Sequence, residues 1–182
     1  MHPLDVADLL DDEMRELQRQ VGDRDDLRIR QITRPEPIEI RVQFGAKAYA
    51  SELVSLPDAL VVAGAGGAQV QARWVPLLGA SSARELVLRA RCADWDGQPP
   101  EVDLLDASGE ELVDWPRDST GQGIVHNHPE YSRPFFCRPG TCEYHTHPVH
   151  RDDPWDKHRE GLTIAGILIP LLHDLVHRWT LR

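Results

Sequence analysis

The sequence is short of cysteine, of positive charge and of long apolar runs. Its three cysteines are an odd number without the pattern of a disulfide scaffold, so no disulfide framework is expected. The longest apolar run, residues 164–172, is too short to span a bilayer. No apolar N-terminal stretch precedes a cleavage site, so no signal peptide is expected, and the expected compartment is the reducing cytoplasm. Twenty basic residues face 30 acidic ones, for a net charge of −10. That balance argues against a general affinity for nucleic acid or an anionic membrane. No internal repeat or low-complexity tract is visible. The acid concentrates in the first 16 residues, where a solvated helix face accounts for it.

The 182 residues, 41% of them hydrophobic, suit one domain with a sizeable core. Residues 3–21 read as an amphipathic helix, with Leu10, Met14, Leu17 and Val21 on one stripe and Gly22 as the stop. A charged turn over residues 23–26 follows. Alternating apolar and polar residues then mark strands at 27–32, 38–44, 59–63, 69–75, 85–92 and 102–105, as in an antiparallel meander with one wet face. Gly64 to Gly67 reads as a hairpin turn, because no Lys-Ser/Thr follows it to make a phosphate loop. A last helix over 162–179 has Thr163 as N-cap and a buried stripe of Ile164, Leu168, Leu171, Leu175 and Trp179, with a kink or local loosening expected at Pro170. His173 and His177 fall opposite that stripe. Between sheet and helix, residues 107–160 form a long irregular flap, rich in Pro, Gly, His and Trp. A loop of that length is usually functional or held by something other than a core.

The chemistry concentrates in the flap. Seven of the nine histidines and two of the three cysteines fall between residues 126 and 173. Cys142, Glu143, His145 and His147 place four possible metal ligands within six residues. On an extended segment Glu143, His145 and His147 share one face, and Cys142 joins them if the chain turns there. Cys137, five residues before Cys142 across the Pro139-Gly140 turn, could complete a closed four-ligand zinc site, with Glu143 orienting an imidazole. Alternatively Glu143 ligates directly and Cys137 is free. His126 and His128 are second-rank metal candidates, and a polar turn histidine with a backbone-bonded His-Pro is the simpler reading for them. Cys92 reads as a buried small hydrophobe, and Trp95, Trp115 and Trp155 as satellite core.

The order of helix, antiparallel meander, Pro99-Pro100 before a short strand, irregular flap and apolar helix resembles the ubiquitin-conjugating (UBC/RWD) fold. Residues 95–105 (WDGQPPEVDLL) are similar to that family's Pro-Pro strand, and residues 162–175 (LTIAGILIPLLHDL) to the helix after its active site. The family's His-Pro-Asn motif is matched by His128-Pro129, and Cys137 follows at a comparable distance to its catalytic cysteine. Glu130 stands where the family has the Asn that supports the oxyanion, and a carboxylate there opposes the developing charge. The Cys142-Glu143-x-His145-x-His147 run also resembles predicted metal-binding proteins encoded beside bacterial ubiquitin-like modification genes and named for those four residues. Tyr144-His145-Thr146-His147-Pro148 is similar to the His-x-His-Pro core of JAMM zinc isopeptidases. Here no serine follows Ser132, and Asp152, Asp153 and Asp156 are not in the required Ser-x-x-Asp frame.

The expected fold is therefore α+β and UBC/RWD-like, with a metal-stabilised flap. The resemblances imply a zinc-binding component of a bacterial ubiquitin-like conjugation pathway, non-catalytic or scaffolding, whose partners are the ubiquitin-like modifier and its activating enzyme. The alternatives are a conjugating carrier using Cys137 or Cys142, and a JAMM-like zinc isopeptidase with Glu143 as base.

Overall fold

The computed structural model describes residues 3–49, 81–95, 97–116, 124–125, 128–130 and 133–179. Helix α1 (Pro3–Val21) opens the chain, and strands β1 (Ile29–Glu36), β2 (Glu39–Tyr49), β3 (Ser81–Arg91) and β4 (Glu101–Asp106) follow. They form one antiparallel sheet in the order β1-β2-β3-β4. The flap holds a short hairpin, β5 (Ile124–Val125) with β6 (Phe135–Phe136), and a five-residue helix α2 (Cys142–Thr146). Helix α3 (Ile164–His177) closes the fold. The architecture is α+β, as the patterning implies. No helix among the described residues is long and apolar enough to cross a membrane. The strands expected at 59–63 and 69–75, with the glycine turn between them, lie outside the described residues.

Period-two burial makes the sheet's inner face. Ile40 pairs with Ala90, Val42 with Leu88 and Phe44 with Leu86, and these side chains are buried. Leu104 and Val102 of β4 extend the layer opposite Leu88 and Ala90. Val6, Leu10 and Leu17 of α1 and Ile164, Leu168, Leu171 and Leu175 of α3 belong to the same core. Each fully buried leucine contributes about 1.5–3 kcal/mol over an exposed one. Thr163 caps α3 by accepting the Gly166 N–H at 3.0 Å, and Glu13 of α1 accepts the Ile164 N–H at 2.8 Å. The α3 hydrogen-bonded run continues through Pro170. Proline has no N–H to give to the Gly166 carbonyl one turn earlier. His173 and His177 are exposed, as their helical phase dictates. Cys92 is buried in the core, where burial pushes its thiol up to about 12.

The opposite face of the sheet is not wet throughout. Val87, Asp103 and Leu105 are buried there too. The flap folds back over this end of the sheet, and α2 and β6 both lie against β4. That cover positions the site.

Candidate functional site

Helix α2 begins where a turn makes it begin. Gly140 sits at φ +98°, which favours glycine, and a Cβ there would lie 2.8 Å from Ile167 Cγ1. Thr141 follows as N-cap, accepting the Tyr144 N–H at 3.3 Å, while its hydroxyl reaches the Phe136 carbonyl at 3.0 Å. The Cys142 N–H donates to the Pro100 carbonyl at 2.8 Å, which ties α2 to the start of β4. The segment expected to be extended is thus a helical turn, and the shared strand face for Glu143, His145 and His147 is lost. In a helix, residues two apart point about 200° apart.

Three side chains of the motif, Glu143, His145 and His147, have separate destinations. Glu143 is fully buried, accepts from Arg133 Nη2 at 2.8 Å and lies 3.5 Å from the Val102 N–H. Arg133 also binds Asp103, and Asp103 accepts from Arg89 Nη2 at 2.7 Å. Burial pushes the Glu143 carboxyl up to about 7 against the pull of Arg133. Burial by itself would lower Arg133, but Asp103 and Glu143 outweigh it and hold the guanidinium more firmly protonated. His145 uses both ring nitrogens on backbone. Nε2 accepts the Gly140 N–H at 3.1 Å, and Nδ1 donates to the Asp153 carbonyl at 2.9 Å. Burial lowers its pKa, which favours the neutral ring. His147 Nδ1 accepts the Val149 N–H at 3.3 Å, and its ring stacks on Phe135.

This arrangement does not fit a zinc ion held jointly by Cys142, His145 and His147, whether Cys137 or Glu143 is the fourth ligand. The carboxylate is committed to Arg133 inside the protein, and His145 has no free lone pair. Among the described residues, no three His, Cys, Asp or Glu side chains are grouped to hold one metal ion. His128 is buried, donating from Nε2 to the Glu143 carbonyl at 3.0 Å and accepting the Glu130 N–H on Nδ1 at 3.0 Å. It fastens α2 to the flap through backbone. Glu130 itself is exposed. His126 lies outside the described residues.

Cys137 has an imidazole as its neighbour. It is half-buried, directly after β6, and its Sγ lies 3.3 Å from His150 Nε2. Burial raises its thiol pKa above the ordinary value. Cys137 lines a cavity of about 390 Å³ together with Arg138 and Pro139 from the flap and Gly166, Ile167 and Pro170 from α3. Arg138 beside it is bound to the buried Asp174, which Arg178 also approaches at 3.3 Å. The His150 ring stacks on Tyr144 with centroids 3.9 Å apart. Tyr144 in turn donates to Asp153 Oδ2 at 2.9 Å, and Asp153 Oδ1 meets His158 Nε2 at 2.8 Å. Nothing in the sequence pattern gives His150 a partner. Thirteen residues and two turns separate it from Cys137, and no periodicity connects them. The Arg133–Asp103 contact is equally silent in the sequence. Comparison with known proteins adds no relative: no protein-family model matches the chain, and no curated protein matches it.

Proposed function

We propose that the chain is a ubiquitin-conjugating-like carrier in a bacterial ubiquitin-like modification pathway, which takes the modifier's C-terminal carboxyl as a thioester on Cys137. The sequence pattern by itself favours a non-catalytic zinc scaffold. One observation moves the weight. Cys137 opens onto a cavity between flap and α3 and has an imidazole nitrogen at hydrogen-bonding distance from its sulfur. A nucleophile beside a base is the arrangement that acyl transfer to sulfur needs.

Three further features support this reading. The helix, four-stranded meander, flap and closing helix follow the order of the ubiquitin-conjugating fold. His128-Pro129 lies in the flap nine residues before Cys137, and its imidazole holds the flap to α2. Cys92 is sealed in the core. Glu130 replaces the oxyanion-supporting Asn, but its side chain is exposed, where water screens its charge. The partners are the modifier and its activating enzyme.

The test is a non-reducing gel of the protein with modifier, activating enzyme and ATP, run beside Cys137→Ala and Cys142→Ala. A reductant-sensitive adduct that disappears only in Cys137→Ala supports the carrier. No adduct, with an activating enzyme shown to be charged, returns the protein to the scaffold reading. An adduct lost only in Cys142→Ala transfers the role to that thiol.

A further inference from the structure

We infer that His150 is the catalytic base of Cys137, taking the thiol proton as the sulfur attacks the modifier's activated carboxyl; the inference rests on the carrier reading of Cys137. The contact is direct, 3.3 Å from Sγ to Nε2. The imidazole is also held in place. Tyr144 stacks along its face at 3.9 Å with only 19° between the planes. The backbone on either side is pinned, with the His150 N–H on the His147 carbonyl and the Asp153 N–H on the His150 carbonyl, both at 2.9 Å. Tyr144 is fixed in turn through its hydroxyl on Asp153. Tyr144 and Asp153 are therefore positioning residues.

Other titratable groups around the pair have different engagements. Tyr144 keeps its proton, since burial and Asp153 push it up to about 12. His145 faces Gly140 and Asp153. His147, whose ring centre lies 5.8 Å from that of His150, points Nδ1 at Val149 and stacks on Phe135. His158 is bound to Asp153, and Arg138 to Asp174. Burial raises the Cys137 thiol pKa, which favours the protonated thiol. Attack on a carbonyl then requires that the proton leave as the bond forms.

The step balances. With its own proton on Nδ1, His150 accepts the Cys137 proton at Nε2 while Sγ bonds to the carbonyl carbon. The bond from that carbon to the sulfur of the activating enzyme's cysteine breaks. The imidazolium returns the proton to the departing thiolate, so one thioester and one thiol are exchanged for another pair.

A short glycine-terminated peptide, supplied as the thioester of a simple alkyl thiol, tests the base without modifier or activating enzyme. The full chain is mixed with it, and acylation at Cys137 is followed by mass spectrometry of the digested protein. His150→Gln keeps the bulk and a hydrogen-bonding group but cannot serve as base, and its melting temperature reports whether it folds as the parent does. His150→Ala is run with and without added imidazole. General-base removal predicts a rate lower by roughly 10²-fold or more in both variants, with imidazole restoring part of it in His150→Ala. A folded His150→Gln that reacts within about twofold of the parent overturns the assignment. So does a His150→Ala whose loss imidazole leaves untouched. If the peptide result holds but no thioester forms with modifier and activating enzyme, the dyad stands and the carrier reading falls. If the enzyme-formed thioester appears in parent and His150 variants alike, the carrier stands and the base falls.

Discussion

Glu143→Gln removes one buried ionisable group while preserving the shape of the side chain. Burial raises the Glu143 carboxyl from its ordinary 4.5 to about 7, so the folded chain holds this proton more tightly than the unfolded chain does. The sign follows from linkage. The carboxyl's favourable contribution is complete below pH 4.5 and declines as pH rises towards 7, because the unfolded chain sheds its proton first. At ~1.36 kcal/mol for each pH unit, that window corresponds to roughly 3 kcal/mol. Glutamine has no such dependence, and its carbonyl can still accept from Arg133. The stability of Glu143→Gln minus that of the parent should therefore move in the variant's favour by roughly 3 kcal/mol between pH 4 and pH 8. Taking the difference cancels the titration of every distant group. Urea unfolding followed by tryptophan fluorescence at four or five pH values measures it, with linear extrapolation to water. A difference that stays flat within about 0.5 kcal/mol, or that moves against the variant, refutes the reasoning. The second result would mean that Arg133 holds Glu143 ionised more strongly than burial opposes it.

Gly140→Ala should lower stability by about 2 kcal/mol, from its positive φ and the contact with Ile167, and lower the melting temperature by roughly 4–8 °C in calorimetry; an unchanged melt would mean that the turn at Gly140 has another shape. Leu168→Asp places an unpaired charge in the core between α3 and the sheet, and the outcome to check is loss of soluble protein on expression. His145→Ala removes two hydrogen bonds to backbone, about 1 kcal/mol each. Its melting temperature should fall equally with and without a zinc chelator, and a parent protein that the chelator alone destabilises would restore the zinc site.

Where periodicity carries the information, the sequence and the structure agree. The stripe Leu10, Met14, Leu17, Val21 places α1, and Ile164, Leu168, Leu171, Leu175, Trp179 places α3 with the histidines outward. The expected strands at 38–44 and 85–92 lie within or overlap longer ones, β2 and β3. Pairing continues from Gly45↔Glu85 to Tyr49↔Ser81, through glycine, alanine and serine that show no alternation by themselves. The partner strand supplies what hydrophobicity does not. β1 shifts forward to include Pro35, which an edge strand tolerates. The flap is the opposite case. His-x-His suggests one strand face only if the backbone is extended. The Gly140 turn, the Thr141 cap and the bond from Cys142 to Pro100 make it helical, and the common face disappears. The Thr141 cap and Pro148 after the helix were the local signs available. The meeting of Cys137 with His150 had none, because it depends on how two irregular turns fold against each other.

The buried charges under α2 connect the sheet to the contact between Cys137 and His150. Asp103 projects from β4 on the face opposite the apolar core, where a meander with one wet face would leave it in water. The flap covers it instead, and Arg89 and Arg133 compensate it, with Glu143 on the far side of Arg133. Such a cluster is a weak source of net stability, since desolvation offsets much of the Coulombic attraction. Its members do have strict geometric demands, because a displaced partner leaves a carboxylate or guanidinium buried and uncompensated. Glu143 and Tyr144 are neighbours on one helical turn and point to different sides. Glu143 locks the turn to the sheet through Arg133, and Tyr144 presents its ring to His150. The position of the imidazole against the Cys137 sulfur is thus fixed through a helix anchored by charge, with the apolar core of α1, α3 and the sheet's other face as the rigid base beneath it.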